Sequence, residues 1–584
     1  MMYIKWAMSF LRDNKKAYIW GLSLSVLVCT PLLLLSPVVL SFLIDDVFTR
    51  QNYDSIFFLS LLYLLFIVVR MGVHYLAQFL IESSSQKTTN VVRDTIFEKL
   101  QSLTPSFYAN TRTGNLMTNI TGDCEHVLNF LFYIAPSTVN TALLIIGSIT
   151  AFFIVSYKLA LIILIIAPLA TIISIKTKKS MREAYTVFRE KLSNLNSVTQ
   201  ENLAGNRVVK AFVREEYELE KFGKKNSEYR DCAIEAGNIW SSVGPFVSAF
   251  AGSLDFVALL GGGYLLIAGE LTLGQLSLFL SLNWAVAESM RVVGVIINDF
   301  QRFASSAEKL MLLNYTKPDI VSPRDAVSIK NPKGNITFDK VCFNFGKTQI
   351  LKDISMTVKS GETIGIMGPT GAGKTTLVNL LLRFMDVTSG EILIDGVNIK
   401  ELSIFDLRRL VSCAFQDVFL FSNTVSKNIA YGNSEMPDED IEDCAASADA
   451  HGFIKKLPDG YDTVVGERGV GLSGGQKQRI SLARALAYNF APILILDDVT
   501  SAVDLETELY IEKELREKKK DVSKIIIAQR VSAVVNADKI FIIENGEITE
   551  CGSHEELLAN KGYYYDTFVL QSGQHDETGV SAHE

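Results

Sequence analysis

Two long stretches of this sequence carry no charged side chain, residues 17–44 and 127–157. As an α-helix, which rises about 1.5 Å per residue, either stretch can cross a hydrocarbon layer of about 30 Å. We therefore predict six membrane-spanning helices, with both ends of the set on the same side of the bilayer. The other four stretches are shorter or contain one or two charges, and they lie at 55–81, 159–175, 237–269 and 271–298.

Basic residues predict the orientation of these spans. The loops after the first and third spans contain only Arg50 and Lys158 as basic residues, whereas the opposite side collects most of the lysines and arginines. Because basic loops stay in the cytoplasm, we expect both termini on the cytoplasmic side of the cell membrane. Residues 1–16 would form an amphipathic helix on the inner surface of that membrane. The polar connections 83–126 and 177–236 have helical periodicity, which predicts cytoplasmic extensions of the spans.

Four charged residues fall near the middle of predicted spans: Arg70, Asp255, Glu288 and Arg291. A charge at that depth costs about 2.5 to 3.5 kcal/mol on insertion scales, so each one needs a physical reason to be there. They can pair with one another across helices, Asp255 or Glu288 can contact a cationic substrate, or they can line a wet cavity. The sequence leaves these interpretations open.

The chain of 584 residues is too long for a single core, and the half after the spans has the mixed charge pattern of a soluble domain. A net charge of −8 argues against nucleic acid as a partner. The seven cysteines form no CxxC pair, so we expect reduced thiols and no zinc or redox site.

A phosphate-binding loop opens the soluble half. The sequence ETIGIMGPTGAGKTTLVNLLL predicts a strand, a glycine-rich turn that matches GxxxxGK[ST], and a helix. In such a loop backbone N–H groups wrap phosphate oxygens, Lys374 reaches the β and γ phosphates, and Thr375 can bind Mg²⁺. We therefore predict that a contiguous set of residues binds a nucleotide: Gly368, Pro369, Thr370, Gly371, Ala372, Gly373, Lys374, Thr375 and Thr376. Further along, ILILDDVTSAVD at 493–504 predicts a buried parallel strand with Asp497 at its end, placed to hold Mg²⁺.

The motif LSGGQKQR, residues 472–479, contains LSGGQ, the signature motif of ABC transporters. With it the chain closely resembles one half of an ABC exporter over nearly its whole length. That resemblance implies an α-helical transmembrane domain of six long helices with cytoplasmic extensions, followed by an α/β P-loop NTPase domain of the ABC type. NTRTGNLMTNITGD and QENLAGNRVVKAFVREEYE resemble the cytoplasmic turns that dock on nucleotide domains. We expect the transmembrane domain at 1–309, a linker at 310–335, the nucleotide-binding domain at 336–570 and a polar tail at 571–584.

The resemblance also assigns site residues. Phe345 would stack on the adenine of ATP, and Thr375, Gln416 and Asp497 would hold Mg²⁺, Asp497 through a water molecule. In this family two nucleotide domains face head to tail, so each ATP lies between one chain's P-loop and the other chain's signature motif. The contacts to the partner's ATP would come from Ser473, Gly474, Gly475 and Gln476, with Gly466–Gly469 before them and Ser501–Asp504 as the D-loop.

Two residues depart from the family pattern. Fully active members have Glu after the Mg²⁺-binding Asp, as the base toward the attacking water; this chain has Asp498, one methylene shorter. The family's switch histidine is replaced by Gln529, which can hydrogen-bond a γ-phosphate but cannot carry a positive charge. The preferred interpretation is a heterodimer in which a homologous half-transporter supplies Glu and His. The alternative is a homodimer that hydrolyses ATP slowly at both sites.

These patterns together predict one subunit of a heterodimeric exporter in the cell membrane, driven by ATP with Mg²⁺ and similar to bacterial multidrug exporters. Its substrates would be amphipathic compounds, with cations as one option. Three other functions remain open: a non-hydrolytic regulatory and pore-forming subunit, a siderophore-type importer with the exporter fold, and a lipid or peptide exporter.

Overall fold

We describe the protein from a computed structural model that covers residues 2–466, 469 and 471–572. Side chains are described for all of these except 55, 162–185, 239–240, 243–244, 246–254 and 290–291. The chain divides into two compact units. The first comprises the chain up to Gln101 together with Thr113–Thr316, and the second comprises Ser102–Arg112 and the chain from Lys317 onward.

The first unit is helical, and its longest helices follow the apolar stretches of the sequence. Single π-helical turns join α2 to α3, α6 to α7 and α7 to α8, so these pairs run on as continuous segments. The described helices of this part of the chain are α1 (Met2–Ser9), α2 (Lys15–Leu24), α3 (Thr30–Ile44), α4 (Ser55–Ser102), α5 (Pro105–Asn110, in the second unit), α6 (Thr113–Thr118), α7 (Cys124–Asn129), α8 (Ala135–Val155), α9 (Tyr157–Ala204), α10 (Asn206–Ala211), α11 (Glu215–Ile267) and α12 (Leu273–Tyr315).

Among the described residues, four helical segments are long and apolar enough to cross a membrane. They match the first, second, third and sixth predicted spans. The predicted spans at 159–175 and 237–269 lie in α9 and α11, where many side chains fall outside the described set, so there the membrane crossing stays a prediction. The four segments are Lys15–Thr49, Ile56–Ser102, Thr113–Val155 and Leu273–Tyr315.

Asp45, which directly follows α3, fixes the start of α12. Its carboxylate accepts hydrogen bonds from the Gly274 N–H (2.7 Å) and the Thr272 hydroxyl (2.6 Å). Thr272 and Gln275 form a reciprocal capping box at the same helix start. An anion is stabilised there by the unpaired N–H groups and the helix dipole, so this contact ties the end of the first span to the start of the last.

Asp255, one of the four mid-span charges, contacts a neutral side chain. Asn283 on α12 donates its amide N–H to the carboxylate of Asp255 on α11, at 2.5 Å. The acid is thus paired with a neutral amide that sequence analysis did not single out. Arg70 and Glu288 are half-buried in α4 and α12, and Arg291 lies outside the described side chains.

The second unit contains two sheets. A four-stranded antiparallel sheet has the order β2-β1-β4-β5, and a six-stranded sheet has the order β10-β9-β3-β8-β7-β6. In the larger sheet β10 is antiparallel to β9 across the turn Asn545–Gly546, a dipeptide typical of two-residue hairpin turns, and the other neighbouring strands are parallel. The strands are β1 (Ile336–Phe345), β2 (Thr348–Val358), β3 (Thr363–Met367), β4 (Ser389–Ile394), β5 (Val397–Asn398), β6 (Val411–Ala414), β7 (Ile493–Asp497), β8 (Ser523–Ile527), β9 (Lys539–Glu544) and β10 (Glu547–Gly552).

Helices divide the second unit into three packed regions. Residues of both sheets and α13 form the main core, helices α15 to α19 form a second core, and α20 and α21 form a third with β9. Every residue of β7 is buried, which explains the continuous apolar run in ILILD. The helices are α13 (Lys374–Leu381), α14 (Ile404–Arg409), α15 (Val425–Ile429), α16 (Asp438–Ser447), α17 (His451–Ile454), α18 (Gly474–Ala487), α19 (Leu505–Lys518), α20 (His554–Asn560) and α21 (Tyr563–Ser572).

Candidate functional site

Four neighbouring parallel strands bring the predicted nucleotide residues to one edge of the larger sheet. The glycine-rich loop follows β3, Gln529 comes shortly after β8, Asp497 ends β7, and Gln416 comes shortly after β6. The carboxyl ends of parallel strands are where open α/β sheets bind ligands. Residues that are far apart in the sequence are therefore collected at one site.

The phosphate-binding loop has the backbone that its glycines predict. Gly368, Gly371 and Gly373 have φ values of 146°, 86° and 100°, in the region that glycine adopts most readily. At Gly368 a Cβ atom would also collide with the carbonyl oxygen of Ile543. The loop leads directly into α13, whose first residues offer unpaired N–H groups to an anion.

Lys374 is the first residue of α13 and is 9% exposed. Its ammonium donates to the carbonyl oxygens of Gly368 (2.7 Å) and Pro369 (2.8 Å). Burial lowers the pKa of this lysine, while the carboxylates of Asp497 and Asp498 act in the opposite direction. The loop thus holds a partly desolvated cation, which strengthens its attraction to phosphate.

Asp497 and Thr375 fit a Mg²⁺ site. Asp497 is 1% exposed, and burial raises the pKa of its carboxyl group, with hydrogen bonding to Thr375 acting the other way and Asp498 adding to the rise. Among the described residues, its Oδ2 atom has no hydrogen-bond partner. A buried unpaired carboxylate oxygen beside a hydroxyl is the donor set that a hard cation satisfies. A Mg²⁺ ion held there would neutralise charge on the phosphates of a bound nucleotide.

Asp498 has a left-handed backbone with φ of 51°, a conformation in which Asp and Asn are enriched several-fold among non-glycine residues. Its N–H donates to the Ile527 carbonyl at 2.9 Å, which places it against the end of β8. Its carboxylate accepts a hydrogen bond from the Gln416 amide at 3.3 Å. Gln529 is exposed at the same edge.

The signature residues lie at the start of α18, which is a second predicted site for an anion. Ser473 caps this helix: its hydroxyl accepts from the Gln476 N–H at 3.3 Å, and its own N–H donates to the Gln476 side chain at 2.9 Å. Gly474 and Gly475 open the first turn, so free N–H groups and the helix dipole point at one place.

Gln478, which sequence analysis passed over, connects the signature helix to the D-loop. Its amide donates to the Ser501 hydroxyl and accepts from the Ala502 N–H, both at 3.0 Å. The residue lies within LSGGQKQR, but no local pattern indicates its partners.

Phe345 ends β1 with 62% of its surface exposed, which leaves its ring accessible to a base. Glu467 and Arg468, in the segment before the signature, lie outside the described residues.

Comparisons with known proteins agree with this architecture. The family model described as "ABC transporter transmembrane region" matches residues 20–287, and the one described as "ABC transporter" matches residues 351–501. The chain is 36% identical to the uncharacterised ABC transporter ATP-binding protein YknU of Bacillus subtilis, over 95% of both chains. It is 35% identical to the ATP-dependent lipid A-core flippase of Syntrophus aciditrophicus, over 90% of this chain and 88% of the relative.

Two further likenesses concern export. A Bacillus subtilis protein named for multidrug export, YgaD, is 32% identical over 98% of this chain and all of its own length. The solved structure of a bacterial Atm1-family ABC exporter with ATP bound superposes with a TM-score of 0.78 at 26% identity, covering 97% of this chain and 99% of that one.

Proposed function

Because this chain belongs to the ABC transporter family and has the fold of its exporters, we propose that it is one subunit of a heterodimeric, ATP-driven exporter. Its own ATP site would bind nucleotide and hydrolyse it slowly, and its signature motif would complete the fast site of a homologous partner. The observation that carries this proposal is the combination of intact binding residues with two altered catalytic positions, Asp498 and Gln529.

The altered positions bear on catalysis more than on binding. A general base contributes about 10² to 10⁴ in rate and must come within hydrogen-bond reach of the proton it takes. Asp498 is one methylene short of the family's glutamate, and its carboxylate is already hydrogen-bonded to Gln416. Gln529 is neutral, so it adds no positive charge near a γ-phosphate. The residues that we propose to hold phosphate and Mg²⁺, Lys374 and Asp497 above all, match the family pattern.

In the proposed cycle the two chains close on two ATP molecules. The P-loop and α13 of this chain bind one triphosphate, and the start of α18 binds the ATP held by the partner. ATP thereby joins the nucleotide domains, and hydrolysis at the partner's site releases them. The long helices α4, α9, α11 and α12 would carry this movement into the membrane and switch the cavity from inward-facing to outward-facing.

We propose amphipathic substrates, including cations. Multidrug and lipid transport appear in the names of relatives. Within the described part of α11 and α12, Asp255 presents an exposed carboxylate, and its partner Asn283 is 1% exposed with an Oδ1 atom that lacks a hydrogen-bond partner. Both groups accept hydrogen bonds, and one is an anion, so a cation with N–H donors suits them. The cytoplasmic location of both termini is part of the same proposal.

The decisive experiment is co-expression with the product of the neighbouring gene, followed by affinity purification, an ATPase assay and transport in sealed inside-out vesicles. We expect a one-to-one complex that is far more active than this chain alone and that loads drug into the vesicles. A fully active homodimer would refute the asymmetric proposal, and ATP-driven movement out of such vesicles would indicate an importer.

The cationic preference has its own test. Asp255→Asn should weaken transport of ethidium, which carries a positive charge and N–H donors, while leaving a neutral amphipathic dye unaffected. Glu235→Gln, which alters an exposed acid on the same helix, is the matched control. Equal losses for both dyes would mean that Asp255 only supports the helix bundle. Transport of labelled lipid by the same vesicles, without transport of either dye, would favour a lipid exporter.

A further inference from the structure

Gln571 connects the last described helix to the loop that carries Gln529. Gln571 is the first residue of the predicted polar tail, and in the structure it lies within α21. Its side-chain amide donates to the Gln529 carbonyl at 2.9 Å and accepts from the Val531 N–H at 2.8 Å. Both polar groups of the amide are therefore used on one short segment of the loop.

These two hydrogen bonds hold the loop as a neighbouring strand would. A side-chain amide offers the same donor and acceptor as a peptide group, and here it bridges the residues on either side of Arg530. Arg530 itself has an extended backbone, with φ of −97° and ψ of 135°. Gln571 thus holds the backbone on both sides of Arg530.

The position of Gln571 is determined by packing. Tyr564 on α21 is fully buried, its hydroxyl is 2.7 Å from Nδ1 of His554, and it shares a core with Ala528 and Val531 on both sides of Gln529. Phe568 packs against the same core. Tyr564, Phe568 and Gln571 follow the spacing i, i+4, i+7, which puts them on one face of the helix. The contact between Gln571 and the loop at Gln529 is therefore part of the folded domain.

Arg530 extends the connection to the D-loop. Its guanidinium donates to the carbonyl oxygens of Ser501 and Val503, both at 3.2 Å. It also lies 3.8 Å from the carboxylate of Glu508, which is 2% exposed and so needs compensating charge. The D-loop is in turn bonded to the signature helix through Gln478.

From these contacts we infer that Gln571 is a positioning residue for ATP hydrolysis. It fixes the switch loop at Gln529 and, through Arg530, the D-loop at Ser501–Asp504. One amide on the C-terminal helix thereby connects the switch loop, which lies at this chain's own nucleotide site, with the D-loop, which we expect to face the ATP of the partner. The inference concerns residues of this chain and holds whether the active transporter is a heterodimer or a homodimer.

The test uses the purified full-length transporter in the dimeric form that is active. Gln571→Met keeps the length of the side chain and removes both hydrogen bonds. We expect kcat for ATP hydrolysis to fall by a factor of about 5 to 30, as for the loss of two hydrogen bonds, with KM for ATP unchanged and the unfolding temperature lowered by only a few degrees. Leu570→Ala, which truncates the exposed neighbour on α21, should behave as the unaltered protein.

A double-mutant cycle separates positioning from general support. If Gln571 acts through Arg530, then Gln571→Met combined with Arg530→Met should lose little more than the larger single loss. Three results would each overturn the inference. The first is that the two losses are additive, and the second is that kcat in Gln571→Met is unchanged or increased. The third is that the loss of kcat is matched by equal losses in ATP affinity and unfolding temperature. If Gln571→Met fails to assemble, Gln571→Glu gives the same test, because it can accept from Val531 but not donate to Gln529, and its kcat should then be intermediate.

Discussion

The nucleotide domain has two predicted phosphate-binding sites, the edge of the larger sheet and the start of α18, and they are built differently. The edge of the larger sheet assembles residues from four strands and contains a buried lysine and a buried acid, Lys374 and Asp497. The start of α18 is four contiguous residues closed by one capping box. Both ends offer N–H groups of a helix start to an anion, but only the sheet edge also carries the predicted catalytic side chains. The two departures from the family pattern, Asp498 and Gln529, lie at that edge. The residues expected to bind phosphate are thus present at both ends, whereas the residues expected to act in hydrolysis differ from the family pattern at one.

The largest effect is expected at the signature end. A Cβ atom at Gly475 would lie 2.8 Å from the carbonyl oxygen of Ala502, a backbone contact that can relax only if α18 moves away from the D-loop. We expect Gly475→Ala to lower the ATPase rate of the assembled transporter about a hundredfold, the loss typical of one preorganised donor at a reacting centre. Gly452→Ala on α17, where a Cβ meets nothing within 4 Å, is the control. Unimpaired hydrolysis in Gly475→Ala would remove the signature end from the proposed fast site.

A smaller loss of turnover is expected at the sheet edge. Lys374→Ala removes a buried ammonium, so ATP should bind this chain's own site about 10- to 100-fold more weakly, the range for hydrogen bonds to a charged group. Total ATPase should fall less than in Gly475→Ala, because the fast site uses the partner's P-loop. Binding of a fluorescent ATP analogue and total hydrolysis measure the two effects, with the exposed Lys400→Ala as control. Equal losses of turnover in both variants would break the asymmetry between the two ends.

The same contrast shows what the sequence could predict. The P-loop and the buried strand ILILD were predicted because each depends on neighbours in the chain. Gln478, Arg530 and Gln571 were not, because their partners are distant in the sequence and are brought close only by tertiary packing. The asparagine that pairs with Asp255 was missed for the same reason. The left-handed backbone of Asp498 also has no local signal, since Asp-Asp at a strand end allows several conformations.

That backbone sharpens the expectation for Asp498→Glu. Glutamate restores the reach of the base, but it is less suited than aspartate to φ of 51°, and Gln529 remains neutral. With the partner's P-loop lysine mutated so that only this site turns over, we expect a rise of about tenfold, below the full value of a general base. Asp498→Glu with Gln529→His should rise further. Full restoration by Asp498→Glu alone would show that the glutamine matters less than proposed.

The smallest expected effect concerns stability. Burial raises the pKa of Asp497, so the folded protein binds its proton more tightly than the unfolded chain does. Stability contributed by this group therefore falls as pH rises from the ordinary pKa of an aspartate through the raised one, and above the raised pKa the folded state bears the full cost of the buried charge. Without Mg²⁺ and ATP, Asp497→Asn should be more stable than the original protein at neutral pH by about 1 kcal/mol, and the difference should shrink on acidification. Adding Mg²⁺ with ATP should reverse the order of stability, since only the carboxylate can bind the cation.

Thermal unfolding across pH, with the exposed Asp459→Asn as control, measures both changes. The asparagine variant could gain no stability without Mg²⁺ and still lose the stabilisation by Mg²⁺ with ATP. That result would mean that other groups of the protein already compensate the buried charge of Asp497. The argument for a cation site at the sheet edge would then depend on the positions of Asp497 and Thr375 and no longer on an uncompensated charge.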